Sequence, residues 1–490
     1  MYKRASFLYG LFAFTIGLLI IGIFKITLTY SVSASKLKSE KKKILCSSRG
    51  YIYDRNYHPL VNTSINNKSF PIDRKTSVNE IEVQRYSANQ LCSHLIGYTD
   101  AENNGISGIE KCYDDVLSYY SGDISVSYYS SAVGDIIGEL GKPKYNNYLS
   151  KGGVVLTIDK YIQYVTEKCV DDAKLEKGAA AVLEVKTGEI LALCSRPNIN
   201  QNEIEKYLND EASPLINRAL TEYSVGSVFK PIIAAVALEN GADPDEEYNC
   251  DGDIKIGDTV FPCHNLSGHG KLDLFHATAE SCNTFYINLT KDINASYLLN
   301  TARNFGFGSK CEIADGLFTD SGVLPEEKDM SSGEKANLSF GQGMLSATPV
   351  HLAAAYATIG NKGIYNPPIV IKSFVDENIT EYKIAKNNSS RRVISEKTAN
   401  TVLKALKMTV EEGSGKNASP ANTTAVGKTA TAQSGWFENG REITHSWFVG
   451  MFPAQEPRYV IAIVKEDGIS GSYDCAPIFK DIAQLVISYE

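Results

Sequence analysis

The sequence lacks an excess of positive charge, an evident repeat, a dense cysteine framework, and all but one long hydrophobic run. A formal net charge of −8 over 490 residues excludes a protein whose main task is gripping nucleic acid phosphates, which takes clustered Lys and Arg. The mild acidity implies no basic partner either, because it mostly serves solubility. Ten cysteines spread along the chain are not the close-set framework of a miniature disulfide scaffold, and a chain of this length buries a core without cross-links. Their even number leaves two options open, disulfides or free thiols in a reducing setting. With 43% hydrophobic and 22% charged residues, wholesale disorder and a collagen-like repeat are excluded. The length suits about three average domains, or one large enzyme domain with a smaller companion.

The single long run, Ala5 to Phe24, holds 20 uncharged residues between Arg4 and Lys25. That matches the ~20 residues a helix needs to cross a hydrocarbon core. A cleaved signal peptide, with Val32-Ser33-Ala34 as its processing site, is the competing reading, but its apolar region is usually shorter, about 7 to 15 residues. An uncleaved anchor over 1–28 is preferred. Lys36, Lys38 and Lys41 to Lys43 follow the run whereas only Lys3 and Arg4 precede it, so the positive-inside rule argues against an exported C-terminus. Long domains translocate largely regardless of charge, and the chemistry below belongs outside the cytoplasm.

Residues 29–45 are polar and Lys-rich and read as a solvated stalk. From Cys46 to about 151 short alternating runs such as Ile124 to Tyr128, broken by Gly and Asn, predict a small β-rich or α+β module. From 152 the texture changes. Val154 to Ile158 reads as a buried strand, Asp159 as an N-cap and Lys160 to Ala173 as a helix. Ala179 to Val185 and Glu189 to Leu193 flank a Lys-Thr-Gly turn as a hairpin. Ser446 to Met451 and Tyr459 to Lys465 form another strand pair, and Pro477 to Ser488 has helical periodicity. Strands at both ends with helices between predict one α+β domain over 152–490.

Three polar elements carry the chemistry. Tyr223-Ser-Val-Gly-Ser-Val-Phe-Lys230 reads as a Gly turn feeding an apolar helix, with Ser227 at its mouth, Lys230 at i+3 on the same face, and Pro231 tolerated only in a first turn. A serine hydroxyl is a weak nucleophile, and an amine held beside it with its pKa lowered by burial can take its proton. The helix N-terminus adds positive potential and free N–H groups. Alone the pattern is poor, because Ser-x-x-Lys also occurs at Ser33, Ser35, Ser39 and Ser332. Downstream lie Ser281-Cys282-Asn283 and Lys428-Thr429-Ala430-Thr431. Ser-x-Asn recurs at Ser64, Ser77 and Ser87, but Lys-Thr-x-Thr occurs once.

This trio in this order resembles the class B penicillin-binding proteins, the membrane-anchored D,D-transpeptidases that cross-link peptidoglycan. The likeness extends along most of the chain. Arg49-Gly-Tyr-Ile-Tyr-Asp-Arg-Asn56 is similar to the family's entry into its pedestal domain, and Leu156-Thr-Ile-Asp159 with Gln163 to its transpeptidase start. Ser339-Phe-Gly-Gln-Gly343 with Thr348-Pro349 matches a late helix signature, and His445 to Gly450 the strand after the Lys-Thr-Gly element. The resemblance implies an antiparallel sheet flanked by helices, the penicillin-binding serine transpeptidase fold, behind a pedestal domain at 46–151.

It also implies roles. Ser227 attacks the penultimate D-Ala carbonyl of a stem peptide, Lys230 is the general base, Ser281 relays a proton to the leaving amine and Asn283 holds the substrate backbone. Lys428 sets the local field, Thr429 and Thr431 bind the substrate and its carboxylate, and the N–H groups of Ser227 and Thr431 form the oxyanion hole. No cofactor is required, and β-lactams acylate the same serine. Ala430 departs from the family's Gly, which lets the strand approach the nucleophile helix closely; its methyl is expected to widen the cleft, slow acylation or reduce β-lactam affinity. The pedestal is too short for a glycosyltransferase domain, so a separate polytopic membrane glycosyltransferase is the expected partner, by analogy alone. A silent scaffold or β-lactam sensor, and less so a β-lactamase, are the alternatives.

Cys250, Cys263, His264, His269 and Cys282 lie close in sequence, and thiolates with imidazoles are what zinc selects. Bound zinc on Cys250, Cys263, His269 and Cys282, a Cys250–Cys263 disulfide, and simply buried thiols are the three readings. Four protein ligands would leave no open position, so such a metal would be structural.

Overall fold

The computed structural model describes every residue except 1, 37–38, 74, 131–135, 138–139, 385–388, 439 and 490, and only the backbone of 30–36 and 39. The apolar run lies inside α1 (Tyr2–Lys36), whose stretch Tyr2–Thr29 is the one helix among the described residues long and apolar enough to cross a membrane. The expected stalk is not irregular. Helix α1 continues past residue 29, and β1 (Ser39–Ser48) is a strand, because backbone pairing with a neighbouring strand is indifferent to the polarity of Lys41 to Lys43.

Two units result. The smaller comprises residues 1–49, 64–85 and 121–150. It holds β1, the hairpin β2 (Ser64–Pro71) and β3 (Ser77–Gln84), then β4 (Gly122–Ser130) and β5 (Lys144–Asn146). Strand β4 is central to a three-stranded antiparallel sheet between β1 and β5, and contains the alternating run read from sequence. Its small core gathers Val83, Ile124 and Tyr148.

The larger unit comprises 50–63, 86–120 and 151–490, a division that differs from the expected boundaries of 46–151 and 152–490. Residues 51–53 leave the pedestal because they form a strand parallel to β6 (Gly153–Leu156), Ile52 opposite Val154. Leu95, Ile96, Ile109 and Leu117 follow them by burying in the main core. Non-local pairing of this kind has no local sequence signal.

After β6, Asp159 caps α2 (Lys160–Asp172) by accepting from the N–H groups of Tyr161 and Ile162. Next come β7 (Gly178–Glu184), β8 (Ile190–Arg196), α3 (Lys230–Glu239), α4 (Asn283–Thr290), α5 (Pro349–Gly360) and α6 (Glu396–Glu411). The chain closes with β9 (Val426–Glu438), β10 (Arg441–Phe452), β11 (Tyr459–Glu466) and α7 (Ala476–Tyr489). The last three strands join the first hairpin in one antiparallel sheet of order β9-β10-β11-β7-β8. Alternate residues of β10 and β11 enter different cores. Phe448, Phe452, Ile461 and Ile463 pack with α2 and α7, whereas Trp447, Val449, Ala462 and Val464 share a cluster with α3 and α5. Both faces are covered, so these strands read as unbroken hydrophobic runs. Strand β9 is left as the free edge on one side.

Phe479 of α7 is fully buried, with its ring 4.8 Å from that of Phe448. Phe479→Ala is expected to cost about 3–5 kcal/mol in urea unfolding of the purified chain in detergent; a cost under about 1 kcal/mol would contradict a sheet packed on both faces.

Candidate active site

Ser227 sits in a 3-10 turn, Gly226–Phe229, and Lys230 begins α3. The hydroxyl-bearing residue thus precedes the α-helix, within its mouth. Its side chain is half-buried, whereas Lys230 is wholly buried. Three long-range contacts fix this turn. The Gly226 N–H donates to Gly341 O at 2.9 Å, Tyr356 Oη donates to Val228 O at 2.8 Å, and Trp447 Nε1 donates to Ser224 O at 2.9 Å. Gly341 has φ +84°, and a Cβ there would stand 1.9 Å from Gly226 O, which accounts for the Gly of the 339–343 signature.

Lys230 Nζ donates to Ser281 O at 2.6 Å, Asn283 Oδ1 at 2.7 Å and Ser281 Oγ at 3.1 Å. The Ser-x-x-Lys and Ser-x-Asn elements therefore converge on one nitrogen. Burial pushes this amine down to about 7, so near neutral pH a large fraction holds a free lone pair. The Tyr286 ring lies 5.6 Å from Nζ, and its hydroxyl is tied to Thr278 Oγ1 at 2.7 Å. Ser281 holds φ +58°, a left-handed conformation uncommon outside glycine, in the turn that aims its carbonyl and hydroxyl at Lys230. Asn283 is the first residue of α4.

Lys428 of β9 is wholly buried and donates to Thr429 O at 3.2 Å. Burial first, and then the charge of Lys230, hold it well below the ordinary lysine range, with Glu280 opposing. Thr429 is buried and donates from Oγ1 to Ser414 Oγ at 3.0 Å, while Thr431 is exposed. Ala430 does not obstruct the turn. A Cβ on Gly226 would lie 3.0 Å from Ala432 Cβ and 3.3 Å from Ala430 Cβ, so both methyls fit because Gly226 has no side chain. Gly226 also has φ +66°. The closeness expected from a Gly in the strand is met from the opposite side, with Thr431 between the two alanines beside the Ser227 turn.

Of the seven expected site residues, Lys230, Ser281 and Asn283 are joined by hydrogen bonds, Lys428 lies close enough to feel the charge of Lys230, and the strand carrying Thr429 and Thr431 meets the Ser227 turn at Gly226. Reading the sequence missed the supports: Tyr286, Tyr356, Trp447 and Ser414. Only Ser414 has a local signal, a Gly-Ser-Gly turn in which the Ser414 N–H donates to Ala279 O at 3.1 Å, two residues before Ser281.

The second cluster also assembles. One donor atom from each of Cys250, Cys263, His269 and Cys282 lies within 4.8 Å of all the others. Cys263 Sγ is 3.8 Å from Cys282 Sγ, and His269 Nδ1 is 3.5 Å from both Cys250 Sγ and Cys263 Sγ. His264 lies outside the quartet, its Nδ1 4.0 Å from Cys263 Sγ. All ten cysteines are free thiols, so the Cys250–Cys263 disulfide is not formed. The Cys263 thiol is held far below its ordinary range, chiefly by its hydrogen bond with Cys282, against burial, and further by His264.

A Ser-x-x-Lys turn opening a helix, a Ser-x-Asn turn, and a Lys-Thr-x-Thr edge strand on an antiparallel sheet define the penicillin-recognising class of serine proteins. The family model described as the penicillin-binding protein transpeptidase domain matches residues 178–484. Stage V sporulation protein D of Bacillus subtilis is 30% identical over 80% of this chain and 61% of its own length. Peptidoglycan D,D-transpeptidase FtsI of Escherichia coli is 28% identical over 80% of this chain and 65% of its own. The chain therefore spans less than two thirds of the length of these two relatives. Among solved structures, penicillin-binding protein 3 of Mycobacterium tuberculosis complexed with aztreonam superposes with a TM-score of 0.73 at 26% identity, covering 91% of this chain and 97% of the other. The chain belongs to the penicillin-binding protein transpeptidase family, and within it to class B.

A lysine with a lowered native pKa weakens the fold wherever the unfolded chain carries the proton, because the native site must either hold a desolvated ammonium or give the proton up. That cost is fully present below about pH 7 and is relieved as pH rises toward the unfolded value near 10.4. Lys230→Met is accordingly expected to raise Tm at pH 6–7, with the gain shrinking by pH 10; a gain independent of pH would contradict a desolvated amine.

Proposed function

We propose that the protein is a peptidoglycan D,D-transpeptidase acting through an acyl-enzyme on Ser227. The observation that carries this reading is the buried Lys230 amine, one turn after Ser227 and held by Ser281 and Asn283. In its neutral form Lys230 takes the Oγ proton as Oγ attacks the penultimate D-Ala carbonyl of a stem peptide. The N–H groups of Ser227 and Thr431 receive the oxyanion; such donors are each worth about 10²–10³ in rate. Ser281 Oγ, 3.1 Å from Nζ, passes the proton to the departing D-Ala amine. Asn283 holds the peptide backbone, Thr429 and Thr431 receive the terminal carboxylate, and buried Lys428 sets the local field beside them. An amine of a second stem peptide then takes the acyl group. A β-lactam ring presents Oγ with the same carbonyl chemistry, so the aztreonam of the mycobacterial relative has its counterpart here. The purified chain should form a long-lived adduct with fluorescent penicillin, lost by a factor of about 10³ or more in Ser227→Ala at unchanged Tm. Rapid release would make it a β-lactamase, and no adduct a silent scaffold.

On the same reading α1 anchors the protein as a single pass, with the catalytic unit outside the cytoplasm where stem peptides are cross-linked. The partner supplying glycan is a polytopic membrane glycosyltransferase. The support for a partner in the membrane is the exposed apolar surface of α1.

We further propose that Cys250, Cys263, His269 and Cys282 hold a structural zinc ion. Tetrahedral Zn–S bonds of ~2.3 Å and Zn–N bonds of ~2.0–2.1 Å put sulfurs about 3.8 Å apart and sulfur and nitrogen about 3.5–3.6 Å apart. The separations of 3.8 and 3.5 Å fit those values. Three of the four donors are buried, and Cys282 lies between Ser281 and Asn283, so the ion would pin the turn that holds Lys230. Protein purified under reducing conditions is expected to carry about one zinc per chain, with Tm lowered by a chelator or by Cys263→Ser. Metal-free protein whose Tm ignores added zinc would contradict the site.

A further inference from the structure

Beyond the residues around Ser227, strand β9 leads to a second concavity. After Gln433 its pairing with β10 slips, resuming at Phe437 opposite Glu442. Gly435 within the slip has φ +74°. A bulge of this kind re-aims side chains at the end of a strand. Here it turns Trp436 over a cavity of about 570 Å³, a size typical of ligand pockets, ~300–1,000 Å³. The opposite wall is the segment leading into the nucleophile turn, ending at Ser224, three residues before Ser227. Trp436 is 75% exposed, an aromatic face of this size with water on it.

The lining is chemically selective. Glu211, Glu222 and Glu466 oppose Lys177 and Arg218, which leaves the pocket net acidic. Arg218 is committed to Glu466 at 2.7 Å and to two backbone carbonyls. Among the described residues Glu211 and Glu222 have no ion-pair partner, and the Glu222 carboxylate accepts from Ser346 Oγ at 3.0 Å. His445 Nδ1 is buried at the pocket with no hydrogen-bond partner, a position that asks for a ligand N–H or C=O. Carboxylates, an unpaired ring nitrogen and an aromatic face suit a short peptide with a positively charged amine better than an anionic or purely apolar ligand.

We propose that this pocket is the subsite for the amine-bearing stem peptide, the acyl acceptor. The inference rests on the transpeptidase reading. The donor peptide lies along the free edge of β9 at Thr429 and Thr431, and the acceptor occupies the pocket on the Trp436 side. Glu211 and Glu222 concentrate the cationic form there. The bound ammonium first gives one proton to solvent; the neutral amine nitrogen then bonds to the ester carbonyl carbon, the bond from that carbon to Ser227 Oγ breaks, and the second proton, lost by nitrogen as the amide forms, returns to Oγ. Trp436, Glu222 and His445 touch the acceptor and leave the formation of the acyl-enzyme to the groups around Lys230.

The test separates the two half-reactions in the full chain. A D-Ala thioester serves as donor, N-acetyl-L-Lys-D-Ala-D-Ala with its free ε-amine as acceptor, and the ratio of amide product to hydrolysis is read beside acylation by fluorescent penicillin. Trp436→Ala and Glu222→Gln change exposed side chains and each should lower the ratio by about tenfold, the scale of one good contact, with acylation within about twofold of the unchanged protein. An unchanged ratio in both variants overturns the proposal. So does a parallel fall of ratio and acylation, which would make the pocket part of the donor site, and so does equal competition by an N-acetylated disaccharide without an amine. Absence of penicillin acylation in the unchanged protein would instead overturn the transpeptidase reading, and this inference with it.

Discussion

The amine of Lys230 is taken out of water and handed to three oxygens, two from Ser281 and one from Asn283. A charged ammonium buried at such a place is costly, and the cost appears as a pKa near 7 in place of about 10.4. Every other feature of the site serves to keep that amine dry and aimed. Helix α3 supplies the burial, the left-handed Ser281 supplies two of the acceptors, and Tyr286 closes the remaining side with a ring face. The buried Lys428 shares the neighbourhood, and two nearby lysines each make the other harder to protonate. The result is an amine that is partly unprotonated at neutral pH, the property the proposed reaction asks of a base beside a serine hydroxyl.

Distance between the sheet and the helix is the second constraint, and it is set by glycines rather than by the strand motif alone. Gly226 leaves room for the methyls of Ala430 and Ala432, and Gly341 leaves room for the carbonyl of Gly226. Trp447 ties the strand next to β9 to the segment before Ser227. The departure at Ala430 is therefore absorbed at the turn. The cysteine and histidine quartet adds a support on the far side, since Cys282 lies inside the very turn that carries Ser281 and Asn283. A metal there would act on the reaction only through the position of those two residues.

Much of this was legible in the residues. The strands of the main sheet, the Asp159 cap, the terminal helix and the order of the three polar elements all carry local signals: hydrophobic runs, a capping carboxylate, a Gly turn into an apolar helix. The convergence of Ser227, Lys230, Ser281, Asn283 and Lys428 followed from resemblance, and so did the expectation of an antiparallel sheet. The boundary between the units was not legible, because residues 51–53 pair with a strand a hundred residues away and no periodicity announces that. The stalk was misjudged for a related reason: Lys41 to Lys43 look solvated, and they are, yet their backbone belongs to a sheet. Tyr356 and Trp447 were invisible as supports because a buried aromatic in a hydrophobic run looks like any other core residue until its hydroxyl or ring N–H finds a carbonyl. Trp436 escaped notice because a β-bulge, rather than strand alternation, decides where it points.

The central claim is that Lys230 is the base that deprotonates Ser227, and that burial sets its pKa. The rate of penicillin acylation of the purified chain, followed from pH 5 to pH 9, reads that pKa directly. The account predicts a rate that rises about tenfold per unit at low pH and levels off around pH 7. A rate still climbing at pH 9, as an ordinary lysine would give, or one flat across the range, would contradict it.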